Sequence, residues 1–477
     1  TIPISLRKVV GAIHAATKEE RIVGIYLADG GPQVEDWSQR RELRTALDHF
    51  QAAGKRVWAH AGSWEAASWF LASGADDLSI EPLGQFEFSG FAFQMFYFAE
   101  ALEKLGVQVQ VTRVGKYKSA VEPFLLARSS PENEEQLAAV LEDLERSVVE
   151  PAAAARGVDP VTLSAFIRER GWSSGEEAVE RGFLDRVAPF DQVLQELQDA
   201  AGKDKESGSF RQVDIADWVA RQRPPHDGDR LVAVLYAEGE ILDGESTSAI
   251  GGHTLSRALR ALREDDEVDA VVLRVDSPGG SAAASDLILR EMQLLRERKP
   301  VVVSMGGVAA SGGYWISCHA SRIIADPATI TGSIGVFGMM PDLSPLLARA
   351  GVRVSTVRTS PFADATSMLR SRNAQELERV QQVVDGIYEG FLDRVSSGRN
   401  LPRERVHEIA QGRIWSGADA VELGLVDSLG GLMDAVSAAA DLVGGVGYSV
   451  RWMDKEAGPL DRAVQEIFQG SAEPVAR

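Results

Sequence analysis

Apolar and polar positions along the chain follow two periods, one typical of buried strands and one typical of amphipathic helices. Residues 270–275 are almost all aliphatic, as expected of a strand that is covered on both faces. A turn at residues 276–280 follows, and residues 281–296 repeat apolar positions every three or four residues, which predicts a helix. The apolar positions of that helix are Leu287, Ile288, Met292 and Leu295.

The same alternation continues downstream and predicts the fold class. Residues 300–305 are typical of a second strand, residues 306–310 of a loop of small residues, and residues 322–325 of a further strand. A short helix is expected to begin near Ser311. Because strands that alternate with helices pair in parallel and are covered by those helices, the pattern predicts an α/β protein.

An internal repeat divides the chain into two similar halves. Adding 245 to a residue number carries residues 62–113 onto residues 307–358, and near residue 175 the offset falls to 242. The residues that recur at the first offset are Gly62/Gly307, Ala75/Ala320, Pro82/Pro327, Gly90/Gly335, Leu102/Leu347, Gly106/Gly351, Val107/Val352, Val109/Val354 and Arg113/Arg358. At the second offset, residues 175–185 (GEEAVERGFLD) match residues 417–427 (GADAVELGLVD). Glycines and an arginine that recur at one spacing indicate two copies of one domain.

The repeat sets the predicted domain boundaries. We expect an N-terminal repeat at residues 1–200, a polar linker with Pro and Gly at residues 201–230, a C-terminal repeat at residues 231–445 and a tail at residues 446–477. The second copy opens with a predicted strand that has no counterpart at the start of the first copy. Together with the lack of an initiator Met, this favours a truncated or processed chain.

Composition narrows the class of protein. The chain has 477 residues, of which 44% are apolar and 25% charged, as in a soluble globular protein with a full core. With 50 Lys and Arg against 70 Asp and Glu, the net charge of −20 argues against a nucleic-acid partner. The single cysteine, Cys318, excludes an internal disulfide and a multi-cysteine zinc site, and the seven histidines form no metal-binding motif. We therefore expect no metal and no cofactor, and no stretch reaches the length of a membrane span.

The two copies differ in chemistry at two equivalent positions. Ser311, in the stretch GGVAASGGYW, corresponds to Ala66 in the first copy. Lys118, in RVGKYKSA, corresponds to Ala363 in the second copy. One copy keeps a serine and the other a lysine, and this reciprocal loss indicates a catalytic Ser–Lys pair divided between the halves. Helix capping alone would explain a serine before Gly-Gly, but it does not explain the matching change at the lysine.

A Ser–Lys pair is a coherent nucleophile and base. A serine hydroxyl is a weak nucleophile until a neighbouring base takes its proton. Lysine can act as that base only when burial or nearby positive charge lowers its pKa from about 10.4 to roughly 7–8. The N–H of Gly312 and an N–H of the Gly279–Gly280 turn are the expected donors to the oxyanion that forms during attack.

Other residues are weaker candidates for this chemistry. Lys116 competes with Lys118 for the role of base, and His319, eight residues after the serine, would make a Ser–His triad instead. Cys318 is expected to be a small buried residue rather than a nucleophile. The aromatic stretch at residues 86–98 fits either a buried core or an apolar groove beside the lysine that takes hydrophobic peptide segments.

Four motifs resemble those of one enzyme family. They are VDSPGGS (275–281), AASGGYWIS (309–317), TGSIGVFG (331–338) and YKSAVEPF (117–124). In them the chain is similar to the bacterial signal peptide peptidase A, or protease IV, family in its long duplicated form, over nearly all of both copies. The resemblance implies a serine peptidase with two tandem copies of a Clp-protease/crotonase-like β-α-β domain. It also implies a role for each site residue: Ser311 as nucleophile, Lys118 as general base, Ser333 to orient the lysine amine, and Gly280 and Gly312 as the oxyanion hole.

The resemblance further implies substrates, assembly and location. Members of this family degrade signal peptides left in the membrane and other hydrophobic peptide segments. The long members form homotetramers that an N-terminal span anchors in the bacterial cell membrane, with the catalytic part on the extracytoplasmic side. This sequence contains no such span, so the chain itself is expected to be soluble. Two alternatives stay open at this point: a crotonase-like acyl-CoA enzyme that uses the same oxyanion glycines, and a non-catalytic oligomeric scaffold.

Overall fold

The computed structural model describes residues 5–32, 34, 36–222, 228–444 and 447–453. The chain divides into two units. The N-terminal unit comprises Thr1–Ala92 and Leu141–Pro225, and the C-terminal unit comprises Phe93–Val140 and His226–Arg477. The chain therefore leaves the first unit, contributes residues 93–140 to the second, and returns to the first before the C-terminal repeat begins.

Helices occur throughout both units. In chain order they are α1 Leu6–Lys18, α2 Trp37–Ala52, α3 Ala66–Ala72, α4 Ala99–Leu105, α5 Glu122–Leu125, α6 Pro131–Arg156, α7 Pro160–Glu169, α8 Gly175–Glu180, α9 Phe190–Ala201, α10 Ile215–Arg221, α11 Gly252–Glu264, α12 Ala282–Arg296, α13 Gly312–Ser317, α14 Ser344–Arg349, α15 Ala374–Arg399, α16 Arg403–Ile409, α17 Gly417–Glu422 and α18 Leu432–Val443. A short 3-10 turn at Ser119–Val121 precedes α5. The predicted helix of the C-terminal repeat is α12, and Ser281 caps it by accepting a hydrogen bond from the N–H of Ala284.

The strands form the sheets that carry the site. They are β1 Gly24–Ala28, β2 Arg56–Ala61, β3 Trp64–Glu65, β4 Asp77–Ile80, β5 Gln85–Glu87, β6 Gln108–Val114, β7 Trp172–Ser174, β8 Arg186–Val187, β9 Arg230–Glu238, β10 Ile241–Leu242, β11 Ile250–Gly251, β12 Ala270–Ser277, β13 Val301–Ala310, β14 Arg322–Ala325, β15 Ile330–Gly332, β16 Val336–Asp342, β17 Ile414–Ser416, β18 Ser428–Leu429 and β19 Tyr448–Met453. Strand β12 is buried from Ala270 to Val275, as its aliphatic sequence predicts for an interior parallel strand.

The N-terminal unit is built on a four-stranded parallel sheet. Its strands lie in the order β1–β2–β4–β8, and β3, β5 and β7 form a small second sheet. Aromatic side chains fill much of its core, and the following are less than 2% exposed: Trp64, Trp69, Phe70, Phe86, Phe88, Phe166 and Phe183. The ring centroid of Trp69 lies 5.3 Å from that of Phe86, so these rings pack edge to face.

The C-terminal unit is built on an eight-stranded sheet. Its main path runs β17–β15–β13–β12–β9–β19, while β14 pairs with β13 and β18 pairs with β14. The antiparallel pair β16–β6 joins a strand of the C-terminal repeat to a strand from residues 93–140. Two layers of aliphatic side chains cover the two faces of the large sheet, as expected of parallel strands that helices flank.

The internal repeat of the sequence is visible in the sheets. Strands β1, β2, β4 and β8 correspond through the repeat offsets to β12, β13, β14 and β18, and both sets lie in the same parallel order. Strand β9 has no equivalent among the described residues of the N-terminal unit. The predicted α/β fold of two tandem copies is confirmed.

Two local predictions from the sequence differ from the structure, and the aromatic stretch combines buried and exposed parts. The predicted loop at residues 306–310 is wrong, because β13 continues to Ala310 and its last three residues pair with β15. Residues 448–453 lie in the predicted tail but form β19, which pairs in parallel with β9. The aromatic stretch at residues 86–98 is divided: Phe86 and Phe88 are buried, whereas most side chains beyond residue 91 are exposed. Parts of the predicted linker and tail, residues 223–227 and 454–477, lie outside the described residues.

The boundaries of the two structural units differ from those of the predicted repeats at residues 93–140, the segment that carries the predicted base. Residues 93–140 belong to the N-terminal repeat by sequence, but they pack with the C-terminal repeat in the structure. This segment carries Lys118. The lysine of one repeat therefore lies in the same unit as the serine of the other.

Candidate active site

Ser311 lies at a sharp turn between a strand and a helix. It follows β13 directly and caps α13, with φ +54° and ψ −116°. A residue with a Cβ is strained in this conformation, and such strain is characteristic of functional positions. A Cβ at Gly312 would lie 2.7 Å from the Ser285 hydroxyl and 3.1 Å from backbone atoms of Gly279 and Gly280, so glycine avoids crowding in the chain after the serine. The turn has the strained strand-to-helix form of a nucleophile elbow, although the sequence lacks the GxSxG motif.

Lys118 reaches the serine along a path lined by glycines. The lysine precedes the 3-10 turn at Ser119–Val121 and is only 2% exposed. A Cβ at Gly412 would lie 2.6 Å from the Lys118 Cβ, and a Cβ at Gly335 would lie 3.2 Å from its Cδ. Because glycine has no side chain, the backbone at both positions can approach the lysine closely. The side chain is thereby buried along its length.

The lysine amine has three contacts, and all of them involve two serines. Nζ of Lys118 lies 2.9 Å from Oγ of Ser311. It lies 3.0 Å from Oγ of Ser333 and 2.9 Å from the carbonyl oxygen of the same residue. A neutral amine has two N–H donors and one lone pair, so it can donate two hydrogen bonds and accept one from the Ser311 hydroxyl. The three contacts of Nζ match these two donors and one acceptor.

The electrostatic environment favours the neutral amine. Burial lowers the pKa of Lys118 from its usual value of 10.5 to about 7, and no carboxylate among the described residues pairs with the amine. A substantial fraction of the amine is therefore free to accept a proton near neutral pH. This is the pKa range in which a lysine serves as a general base.

A backbone hydrogen bond to the residue just before β17 holds Ser333 in place. It comes directly after β15 and has a φ of +49°, a conformation uncommon for a residue with a side chain. Its N–H donates to the carbonyl oxygen of Arg413 over 2.7 Å. The N–H of Ser311 in turn donates to the carbonyl oxygen of Gly332 over 2.9 Å. The two serines are thus fixed by neighbouring segments of one sheet.

The two glycines predicted to form an oxyanion hole lie close together. An ideal Cβ at Gly312 would be 3.1 Å from the backbone nitrogen of Gly280. Gly280 has a φ of +153°, and a Cβ there would collide with the carbonyl oxygen of Ile241 at 2.0 Å. Among the described residues, no acceptor takes the N–H of either glycine. Two unsatisfied backbone donors therefore lie next to the Ser311 turn.

Gln136 is a site residue that the sequence analysis missed. Its side-chain amide donates to the carbonyl oxygen of Tyr117 over 3.1 Å and to the Ser119 hydroxyl over 2.9 Å, on either side of the lysine. Its side-chain oxygen accepts from the N–H of Ile414 over 3.1 Å. Gln136 is 1% exposed, so the loss of these bonds would leave buried polar groups unpaired. It ties the lysine turn to the segment that holds Ser333, and no sequence motif signals this role.

The competing candidates lie elsewhere or are unsuited to the chemistry. The ring nitrogens of His319 face Gln293 and Ser397 at 3.3 and 3.4 Å rather than Ser311. Burial raises the pKa of the Cys318 thiol to about 12, which makes it a poor nucleophile. Lys116 is exposed, with Nζ 4.7 Å from the centre of the Tyr117 ring.

Among the described residues, no group of His, Cys, Asp and Glu side chains is arranged to hold a metal ion. In the same residues, no helix combines the length and the apolar character needed to cross a lipid bilayer.

Comparisons with known proteins show the family of the chain. The model of peptidase family S49 matches residues 49–204 and 293–445, and the model of Clp protease matches residues 227–330. The chain belongs to peptidase family S49. It is 37% identical to Protease 4 of Salmonella typhi, over 92% of this chain and 72% of that protein. It is 34% identical to Protease 4 of Haemophilus influenzae (99% and 80%) and 31% identical to the chloroplastic serine protease SPPA of Arabidopsis thaliana (89% and 64%).

Membership of family S49 makes the chain a serine peptidase and decides between the alternatives left by the sequence. A crotonase-like acyl-CoA enzyme and a non-catalytic scaffold are both set aside, because the matched family is one of peptidases. The Clp protease match covers β9 to β14 and supports the predicted Clp-like domain.

Proposed function

We propose that this S49 peptidase is an endopeptidase with a Ser311–Lys118 dyad, which degrades cleaved signal peptides and other hydrophobic peptides. The observation that carries the proposal is the 2.9 Å separation between Lys118 Nζ and Ser311 Oγ, at a buried lysine that pairs with no carboxylate among the described residues. Such a lysine is the base that a serine nucleophile needs.

In the first half of the reaction, Lys118 takes the proton of the Ser311 hydroxyl while Oγ attacks the carbonyl carbon of the substrate. The resulting tetrahedral intermediate carries a negative charge on the former carbonyl oxygen. The N–H groups of Gly280 and Gly312 donate to that oxygen, because they have no acceptor among the described residues. The protonated lysine then gives its proton to the leaving amine, the C–N bond breaks, and an ester on Ser311 remains.

In the second half, water replaces the leaving peptide. Lys118, neutral again, takes a proton from the water as its oxygen attacks the ester carbon. The same two N–H groups stabilise the second oxyanion. Collapse of this intermediate breaks the ester bond, and the proton on Lys118 returns to Ser311 Oγ.

Ser333 acts as a positioning residue for the lysine. Its carbonyl oxygen and hydroxyl are both within 3.0 Å of Nζ, so the amine is held by two partners besides the nucleophile. With both N–H groups occupied, the lone pair points to Ser311. A lysine with free rotation would lose this orientation.

The substrate preference rests on the family resemblance and on an exposed apolar patch close in sequence to the lysine. The patch comprises Phe98, Phe124, Leu125 and Leu126. The first, third and fourth are between 37% and 44% exposed. The Phe98 ring centroid lies 6.2 Å from that of Phe124. Such a surface suits the apolar segment of a signal peptide better than a charged peptide.

The resemblance also supports an assembly and a location. We propose a homotetramer at the bacterial cell membrane, with the catalytic part on the extracytoplasmic side and an N-terminal anchor beyond this sequence. Membrane association would bring the enzyme to the signal peptides that remain in the bilayer.

The test is labelling with a serine-reactive acylating probe, followed by peptide mapping, together with hydrolysis of a hydrophobic peptide. The wild type should be acylated at Ser311 and should cleave the peptide, whereas Ser311→Ala should do neither. Lys116→Ala is the matched control because this lysine is exposed and two residues from the proposed base. Labelling at another serine, or equal loss of activity in Lys116→Ala, would overturn the dyad.

A further inference from the structure

Three polar side chains outside the proposed dyad contact one another in the C-terminal unit. The Tyr117 hydroxyl donates to the carboxylate of Glu135, whose two oxygens lie 3.1 and 3.0 Å away. Nη1 of Arg413 donates to Oε1 of Glu135 over 2.7 Å and to the hydroxyl oxygen of Tyr117 over 3.2 Å. Each side chain therefore contacts the other two, and we call these three residues the Tyr–Glu–Arg cluster.

The arginine of this cluster packs against aromatic rings as well as pairing with the carboxylate. Its Cζ lies 4.8 Å from the ring centre of Tyr117 and 4.4 Å from that of Trp415. Because a guanidinium is planar, packing against two rings restricts its orientation. Hydrogen bonds from Tyr117 and Arg413 hold the pKa of Glu135 below its usual value, so this carboxylate is ionised at neutral pH.

The backbone of the same residues holds the surroundings of the base. Tyr117 directly precedes Lys118, and its N–H donates to the carbonyl oxygen of Gln411 over 2.9 Å. The carbonyl oxygen of Arg413 accepts from the N–H of Ser333 over 2.7 Å. The cluster therefore links the residue before the base to the residue whose carbonyl holds Ser333.

The internal repeat shows that this backbone arrangement forms without such a cluster. In the opposite repeats, the positions equivalent to the tyrosine and the arginine hold Phe362 and Gly171, which lack the hydroxyl and the guanidinium. The N–H of Phe88, the equivalent of Ser333, still donates to the carbonyl oxygen of Gly171 over 2.7 Å. The cluster is therefore an addition to the shared fold, and like the dyad it takes residues from both repeats.

We propose that Tyr117, Glu135 and Arg413 are positioning residues of the peptidase, which hold the lysine turn and the neighbouring β17 segment in one geometry. The described contacts of Lys118 Nζ include none of these side chains, so the cluster acts through the backbone. The side chain of Glu135 is 54% exposed, and an ion pair with an exposed partner adds little to stability. The cluster should therefore affect the rate more than the folding, because a displaced base slows proton transfer. The inference rests on the proposed dyad.

Steady-state kinetics of cluster variants tests this role. Glu135→Ala should lower kcat for a hydrophobic peptide by about tenfold and change KM by less than about twofold, because the base is displaced while the substrate surface is kept. Tyr117→Phe keeps the ring and should have a similar effect, and the double variant should be no worse than either. Glu135→Gln keeps an acceptor oxygen for both donors and should recover part of the rate. Glu134→Ala is the matched control, because this exposed carboxylate precedes Glu135 on α6.

The pH–rate profile and thermal denaturation separate positioning from support of the fold. In Glu135→Ala the midpoint of the profile should move to higher pH, since a displaced amine would be less well buried. Rates are expressed per acylated site, so that a misfolded fraction does not count. A lower melting temperature with wild-type kcat, KM and midpoint overturns the inference, as does an equal loss of kcat in Glu134→Ala.

The serine-reactive probe distinguishes failure of this inference from failure of the dyad. If the wild type is labelled at Ser311 and Glu135→Ala has wild-type kinetics, the role of the cluster is overturned and the dyad stands. If the wild type is not labelled at Ser311, both are overturned.

Discussion

The strand-to-helix junction is built differently in the two repeats. In the C-terminal repeat, Ser311 caps α13 with a φ of +54°. In the N-terminal repeat, the equivalent residue Ala66 begins α3, and the preceding cap, Glu65, has a relaxed φ of −100°. The equivalent of Ser333 is Phe88, which is fully buried among aromatic rings. The N-terminal repeat therefore lacks both serine hydroxyls, and it also lacks the strained backbone at these two positions.

This difference shows what the fold requires and what the chemistry adds. The parallel strands β1, β2, β4 and β8 form without strained serines, so strain is not needed to build the sheet. Ser311 and Ser333, the two residues that contact the lysine amine, are among the five described residues other than glycine with a positive φ. Strain of about 1–3 kcal/mol at a residue persists where the surrounding structure holds it, and it is common at functional sites.

The largest expected effect is the loss of peptidase activity when Ser311 or Lys118 is replaced. Ser311→Ala and Lys118→Ala should each lower kcat/KM for a hydrophobic peptide by at least about 10⁴-fold, because nucleophile and base act as a unit. The double variant should be no worse than either single variant. Steady-state kinetics with Lys116→Ala as the control measures this, and additive losses would contradict a dyad.

The next effect concerns the titration of Lys118. Since its pKa is lowered to about 7 and the neutral amine is the base, kcat/KM should rise with pH and level off above about 7. In the unfolded chain this lysine keeps its proton up to about pH 10. Between about pH 7 and pH 10 the unfolded chain therefore binds one more proton on Lys118 than the folded chain does, and the folded chain gains stability as the pH rises. The free energy of unfolding of the wild type should therefore increase by about 3 kcal/mol more than that of Lys118→Met between pH 7 and 9.5.

Chemical denaturation at several pH values measures that difference. Lys116→Met serves as the control, because this lysine is exposed and lies two residues from Lys118. A pH–rate midpoint near the ordinary lysine pKa, or parallel pH dependence of wild type and Lys118→Met, would contradict a neutral buried amine.

A smaller effect is expected from Ser333→Ala. Loss of one hydrogen bond to the amine should lower kcat by about 10- to 100-fold with little change in KM. Ser333→Thr keeps a hydroxyl and should recover part of the rate. Stopped-flow and steady-state kinetics distinguish this from a folding defect, which would lower the active fraction without changing the rate per acylated site.

Gln136→Leu should have a still smaller effect on rate. The lysine turn loses its tie to the segment near Ile414, and a displaced base should lower kcat by about tenfold. The midpoint of the pH–rate profile should also move, since the amine would be less well buried. A fall in thermal stability with unchanged kcat and midpoint would make Gln136 a structural residue only.

The smallest effect should come from restoring the lost hydroxyl to the N-terminal repeat. Ala66→Ser adds a serine where the backbone is relaxed and where the buried Phe88 replaces the equivalent of Ser333, so peptidase activity should change by less than about twofold. The acylating probe should not label Ser311→Ala/Ala66→Ser. Labelling at the new serine would mean that strain and the lysine are dispensable, and the contrast between the repeats would be lost.

Much of this site was predictable from the sequence, because a duplicated chain contains its own comparison. The replacement of Ser311 by Ala66 in one repeat and of Lys118 by Ala363 in the other predicted two residues whose side chains lie 2.9 Å apart in the structure. Aliphatic runs identified β9, β12 and β14, since burial on both faces leaves a clear pattern. The role of Ser333 and the choice of Gly280 within its turn came only from the family resemblance, and the roles of Ser333, Gly280 and Gly312 stay predictions.

What the sequence left undetermined depends on contacts distant in the chain. The end of β13 was missed because Gly and Ala are typical of loops, and only pairing with β15 keeps these residues extended. Gln136 acts through backbone groups, which have no sequence signature. That residues 93–140 pack with the other repeat could not be predicted from local patterns, since it depends on which strands pair.

Lys118 and Ser311 are 193 positions apart in the chain, and this separation has a consequence for biosynthesis. When the lysine leaves the ribosome, neither serine has been made, and the carbonyl of Arg413 that holds Ser333 follows later still. Proteins are synthesised from the N-terminus, and a segment that pairs with distant residues must wait for them. A growing chain therefore cannot assemble the base and nucleophile, and we expect the peptidase to become active only when most of its length has been translated.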